Sequence, residues 1–177
     1  ESLQKAIRGL EIDRAGLESP PGKRPGDAYA QSELDEIKAQ ARVPRAHRLF
    51  WVAEAFRAGL GVDELHALTF IDPWFLREIE EIVRTEVVLA KGVPEGADAL
   101  RAAKRMGFSD RRIAQLAGTT EKFVRGARWA AGVRPVFKRV DTCAAEFEAY
   151  TPYLYSTYEE ECEAKPTDRP KVMILGG

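Results

Sequence analysis

The sequence predicts an all-α protein: an irregular helical domain of about seven helices, then an extended aromatic and acidic segment, then one truncated strand at the C-terminal end. Three observations predict it. Apolar residues recur at helical spacing from Leu3 to Trp129. Capping residues, glycines and prolines divide that region into short runs. From Arg134 to Ala164 the helical period stops, and RPVFKRVDTCAAEFEAYTPYLYSTYEEECEA fits neither a period of 3.6 nor a sustained period of 2.

The elements follow in order. Ser2 to Leu10 carries Leu3, Ala6, Ile7 and Leu10 at helical spacing, and Gly9 weakens the helix near its end. From Leu17 to Ala30, Ser19, Pro20, Pro21, Gly22, Pro25 and Gly26 punctuate the chain too densely for a regular element, so an exposed, mobile loop is expected over residues 18–31. Ser32, followed by Glu33, Leu34, Asp35 and Ile37, reads as the N-cap of a short helix ending before Pro44. Pro44 opens a stronger helix with Leu49, Phe50, Val52, Ala53, Phe56 and Leu60 on one broad face, Trp51 near its edge, and Gly59 and Gly61 closing it. Asp63 to Leu68 is a brief helix.

Asp72 before Pro73 is a cap followed by an N1 proline, and it launches the longest helix, to Lys91. Its expected buried stripe is Phe75, Leu76, Ile79, Ile82, Val83 and Val87. Ser109 caps an element running through Ile113 and Leu116, and Gly118 breaks it. Thr120 caps Glu121 to Ala131, with Phe123, Val124, Ala127 and Trp129 expected inside. The segment Arg134 to Tyr158 is expected to pack across the helices without forming a sheet, its rings supplying buried area. Lys171 to Gly177 reads as a strand entering a glycine turn, cut off before any third glycine that a nucleotide-binding unit would need.

Helix, glycine turn and helix over Ser109 to Ala131 is also the plan of a DNA-reading module. Arg101 to Arg139 holds eleven basic residues and two acids, which would attract phosphate. The rival is a helical hairpin whose basic face meets acidic protein, and Asp141 to Glu163 holds seven acids with no Lys or Arg. An acidic, tyrosine-rich neighbour would repel DNA, which favours the protein contact.

Charge and composition exclude other classes. The net charge is −1, 45% of residues are apolar and 31% charged, so neither nucleic acid nor a membrane is an expected partner. The opening ESLQKAIRGLEID carries acids, unlike a signal peptide, and the missing initiator Met suits a piece of a longer chain. Cys143 and Cys162 lack metal-ligand spacing and read as free thiols of a reducing compartment, although a disulfide between them is open. His47 and His66 lie on different helices with no nucleophile or metal-type cluster beside them in sequence. Glu159, Glu160 and Glu161 are consecutive, so their carboxylates diverge and read as a solvated run. The pairs Glu80 with Arg84 and Glu54 with Arg57 stand at helix-neighbour spacing and read as surface support. No catalytic, cofactor-binding or metal-binding residue is predicted.

The words KRVDTCAAEF at Lys138 to Phe147 and YSTYEEECEA at Tyr155 to Ala164, followed by KVMILGG at Lys171 to Gly177, resemble the large subunit of carbamoyl phosphate synthetase. The likeness extends more weakly through WVAEAFRAGL (Trp51 to Leu60) and IDPWFLREIEEIVRTE (Ile71 to Glu86), and it departs in Pro20 to Gly26. In that family this stretch joins a central helical oligomerisation domain to the second of two ATP-using halves. The resemblance then implies a tail helix of the preceding half at 1–17, a loop at 18–31, the oligomerisation domain at 32–133, a linker packed on it at 134–170, and the first strand of the next half at 171–177.

It further implies a non-catalytic segment of a cytoplasmic, ATP-dependent ligase. That parent makes carbamoyl phosphate from bicarbonate, glutamine-derived ammonia and ATP, for arginine and pyrimidine synthesis. ATP with magnesium would belong to the flanking halves, leaving this chain without a cofactor. The implied partners are another copy of the domain, the two halves and, indirectly, the glutaminase small subunit. Aromatic residues hold a large share of interface energy, so Trp51, Phe56, Trp74, Trp129, Tyr153 and Tyr155 are the expected contacts, with at least one ring of the first four partly exposed.

Overall fold

The computed structural model describes residues 1–150 and 153–175. The chain folds as two units, Glu1–Val133 and Arg134–Gly177.

The first unit is helical: α1 (Ser2–Gly9), α2 (Gln31–Arg42), α3 (Arg48–Arg57), α4 (Val62–Thr69), α5 (Pro73–Leu89), α6 (Ala97–Arg105), α7 (Asp110–Ala117) and α8 (Glu121–Ala130). Among the described residues there is one helix more than the sequence predicts. The addition is α6, whose apolar burial is limited to Leu100 and Ala103, too little to stand out as a periodic stripe.

Helix α3 occupies the centre. Phe50, Val52, Ala53, Ala55 and Phe56 are all buried, which surrounds the helix with apolar contact. Against it and around it pack Ile37 and Ala41 of α2, Leu65 of α4, Leu76, Ile79 and Val83 of α5, and Ile113 of α7. Each fully buried aliphatic side chain contributes about 1.5–3 kcal/mol relative to exposure. Among the described residues no helix is long and apolar enough to cross a membrane.

Local signals set the helix ends. Asp72 Oδ1 accepts from Trp74 N at 2.8 Å, Ser109 Oγ from Arg112 N at 3.0 Å and Thr120 Oγ1 from Phe123 N at 3.2 Å. Each such cap is worth about 1 kcal/mol. Gly118 ends α7 in the left-handed conformation, with φ of 65°. Two starts differ from expectation. Helix α2 begins one residue before Ser32, because Glu33 Oε2 accepts from the Ala30 amide at 2.7 Å and makes Ala30 the cap. Helix α3 begins at Arg48, since the residues after Pro44 close a turn first.

The stripes of α5 and α8 also differ. On α5, Leu76, Ile79, Ile82 and Val83 are buried as expected, whereas Phe75 and Val87 are exposed and Glu86 is buried instead. At about 100° per residue Phe75 falls within the angular range of the buried stripe. Its exposure comes from its place on the first turn, where the unit supplies too little cover. On α8 only the narrow line through Val124 and Arg128 is buried, leaving Phe123 and Trp129 outside.

The segment expected as an exposed loop is tied down at both ends. Leu17 is fully buried, and Ser19 and Tyr29 reach the core through hydrogen bonds to Glu54.

In the second unit β1 (Val136–Arg139) pairs antiparallel with β2 (Leu154–Thr157), in the register Val136 to Thr157 and Arg139 to Leu154. This overturns the expectation that Arg134 to Tyr158 forms no sheet. Strands of four residues are too short to display a period of 2, while Val136, Phe137, Tyr155 and Thr157 suit a pleated surface. Beyond β2, the Glu163 amide donates to Phe137 O at 2.7 Å and its carboxylate takes the Arg139 amide at 2.6 Å. Thr151 and Pro152 lie outside the described residues. The expected strand from Lys171 has no regular structure through Leu175, and Val172, Met173, Ile174 and Leu175 are exposed, because a strand needs a partner to pair with. The predicted Gly176–Gly177 turn lies outside the described residues.

Candidate functional site

Four charged side chains from three helices converge inside the first unit. Arg57 of α3 donates from Nη1 to Glu54 Oε2 at 2.8 Å and from Nη2 to Glu86 Oε2 at 2.7 Å. Arg112 of α7 donates from Nη2 to the other Glu86 oxygen at 2.6 Å. Ser19 and Tyr29 hydroxyls both donate to Glu54 Oε1, at 2.9 and 2.8 Å, and Arg57 also donates to the Leu17 carbonyl. Two guanidinium groups thus neutralise two carboxylates, and the one remaining oxygen, Glu54 Oε1, is taken by both hydroxyls. Such satisfaction is what a buried ion cluster requires.

The environment shifts two members of the cluster. Burial opposes the charge on Arg57, but Glu86 and Glu54 outweigh it and raise the pKa. Burial, then the hydrogen bond to Glu54, pushes the Tyr29 phenol well above its ordinary value. The cluster ties α3, α5 and α7 to the residues preceding α2. Glu54 and Arg57 are therefore a correction to the sequence-based view of surface support, which describes only the exposed Glu80–Arg84 pair at 2.8 Å.

A second cluster holds α8. Asp110 accepts from Arg128 Nη2 at 2.8 Å and from Lys104 Nζ at 2.9 Å, and Arg128 Nη1 donates to the Val133 carbonyl at 2.9 Å. Burial works against the Asp110 carboxylate, yet the bonds and charges of Arg128 and Lys104 prevail and hold its pKa below the ordinary range. Burial also lowers the Lys104 ammonium against the pull of Asp110. Lys104, Arg112 and Arg128 are thus three of the eleven basic residues expected to attract phosphate, and all are buried in internal ion pairs. The helix-turn-helix reading of Ser109 to Ala131 finds no support.

Helix α1 is clamped onto the turn after α6. Gln4 Nε2 donates to Met106 O at 2.9 Å and Arg8 Nη1 to Gly107 O at 2.7 Å. Gly107 has φ of 92°, and a Cβ there would stand 2.8 Å from the Glu1 carbonyl oxygen, so glycine is required twice over.

The clamp leaves a groove of about 850 Å³ beside α5, lined by Leu3, Ala6, Ile71, Trp74, Phe75 and Met106. Trp74 is 55% and Phe75 57% exposed, their rings edge to face at 4.9 Å between centroids. Among the other expected contacts, Trp51 is half-buried against the core and Phe56 is buried within it. Trp129 on α8 is 51% exposed, and Tyr153 and Tyr155 are exposed in the second unit. The exposure of Phe75 has no signal in the sequence, since its helical angle is that of the buried stripe.

His66 Nδ1, on α4, lies 2.8 Å from Ile71 O, and His47, at the cap of α3, rests beside Phe50. Among the described residues no group of three or more His, Cys, Asp or Glu could hold a metal ion. Cys143 and Cys162 are free thiols.

Residues 1–132 match the family described as carbamoyl-phosphate synthetase large chain, oligomerisation domain. The chain is 56% identical over 179 residues to the carbamoyl phosphate synthase large chain of Xanthomonas axonopodis pv. citri, covering 100% of this chain and 16% of that protein. It is 56% identical over 180 residues to the protein of that name from Xylella fastidiosa and 54% over 179 to that from Halomonas eurihalina, with the same coverage of both chains. The chain therefore spans 16% of the length of these curated relatives.

Proposed function

The chain belongs to the carbamoyl-phosphate synthetase large chain oligomerisation domain family, and from that premise we propose that it is a non-catalytic scaffold that links the ATP-using halves of such a large chain and pairs with another copy of itself. On this reading the parent is a cytoplasmic ligase making carbamoyl phosphate from bicarbonate, glutamine-derived ammonia and ATP. The flanking halves use ATP with magnesium, and a small subunit hydrolyses the glutamine. Residues 1–17 close the first half, residues 134–170 form the linker, and residues 171–177 open the second half.

The observation that carries the scaffold reading is the contrast between a charge-saturated interior and an aromatic exterior. Glu54, Arg57, Glu86 and Arg112 neutralise one another inside, which suits a rigid block. Outside, α8 presents Phe123 and Trp129 beside Lys122 and Arg125. Exposed aromatics flanked by cations suit a partner with acids at its rim, and aromatic anchors supply most interface energy. We assign this face of α8 to the second copy.

Sedimentation of the 177-residue chain across a concentration series at two salt levels tests the proposal. The expected result is a species heavier than the monomer that gains with concentration and weakens with salt. A monomer at every concentration overturns self-association.

A further inference from the structure

The groove beside α5 points to a second contact, distinct from the α8 face. We infer that it is filled, in the complete large chain, by an apolar segment of the same polypeptide from the part that leads into Glu1. This rests on the proposal that the chain is an internal scaffold of a longer large chain.

Four observations select that occupant. First, Phe75 lies within the angular range of the α5 stripe that Leu76, Ile79 and Val83 bury, yet it is 57% exposed. The first turn of α5 has the side chain of a core position without the cover of one. Second, the opposite wall is held in place: Leu3 and Ala6 stand on α1, which Gln4 and Arg8 clamp to Met106 and Gly107. The groove is therefore preformed, and filling it costs little ordering of its walls.

Third, the rim disfavours a second copy of the same face. Glu1, Glu78 and Glu81 line the groove against a single Arg105, so two such faces would bring more like than unlike charge together. Fourth, the chain spans 16% of its relatives' length, and Glu1 and Ser2 are themselves among the residues that line the groove. Polypeptide joined to Glu1 reaches the groove at the high effective concentration of a short linker and without the translational cost of a free partner. Its expected character is apolar, with Lys or Arg where it passes Glu78 and Glu81.

Hydroxyl-radical footprinting read by mass spectrometry tests this on the unaltered proteins, the full large chain containing this sequence and the 177-residue chain itself. The expected result is oxidation of Trp74 and Phe75 in the 177-residue chain and loss of that labelling in the full chain at every protein concentration. Equal labelling in both overturns the inference. So does protection in the full chain that disappears on dilution, which would identify a second copy as the occupant, and so does protection in the dilute 177-residue chain. Self-association is read separately by sedimentation. A full chain that assembles with Trp74 still labelled therefore removes the groove assignment alone.

Discussion

Arg57 on α3 and Glu86 on α5, 29 residues apart in the chain, meet at 2.7 Å with side-chain exposures of 3% and 0%. Their contact joins the central helix to the longest one, and through Arg112 it extends to α7. Removing one member of such a cluster leaves the others charged and unpaired in a medium that cannot solvate them.

Glu86→Ala is accordingly expected to cost about 3–5 kcal/mol, the range for breaking a buried pair. Arg84→Ala, two positions away on the same helix, removes only the exposed partner of Glu80 and is expected to cost under about 0.5 kcal/mol. Urea unfolding of both variants checks this, read as midpoint shifts at unchanged slope. Equal midpoints would mean that the buried cluster contributes no more than a surface pair.

Acid stability depends on Asp110. Its folded-state pKa lies below the ordinary carboxylate value near 3.9, so the unfolded chain binds the proton more readily. The stabilisation is complete above about pH 4 and is lost as the pH falls through the folded-state value. Asp110→Asn is expected to be less stable at neutral pH, because Lys104 and Arg128 lose their counter-charge, and to show a shallower decline below about pH 4. Urea midpoints at a series of pH values measure this, and parallel curves for the two proteins would contradict it.

Gly107 and Gly118 both have positive φ, yet a Cβ at Gly118 meets open space whereas one at Gly107 meets the Glu1 carbonyl at 2.8 Å. Alanine at Gly118 is expected to cost only the conformational penalty of about 1–2 kcal/mol. Gly107→Ala is expected to cost more and to release α1. Hydrogen exchange of residues 2–9 is the readout: amides of α1 exchange faster in the Gly107 variant than in the Gly118 variant. Unchanged protection of α1 in both would show that the clamp does not depend on the glycine.

Where structure is local, the sequence discloses it. Asp72, Ser109 and Thr120 cap the helices that their positions predict, because a cap needs only the next two or three amides. Phe50, Val52, Ala53 and Phe56 are buried as their spacing predicts. The family is legible in KRVDTCAAEF and YSTYEEECEA, and the 56% identical relative agrees with it.

Where two elements must meet, the sequence is silent. Glu54 with Arg57 and Glu80 with Arg84 look alike along a helix, one pair three residues apart and the other four, yet the first is buried and the second exposed. The difference is made by Glu86, Arg112, Ser19 and Tyr29, which only folding brings to Glu54 and Arg57. Phe75 is a core-type residue by its helical angle, and its exposure depends on what stands opposite the first turn of α5. The four-residue strands β1 and β2 reveal themselves only by pairing, since their backbone groups are satisfied across the ladder rather than within either segment. The chain by itself thus determined seven of the eight helices among the described residues, the caps at Asp72, Ser109 and Thr120, and the family. The tertiary structure decided which charges are interior and which aromatic faces remain open, because burial is a property of the assembled neighbours and not of the residue.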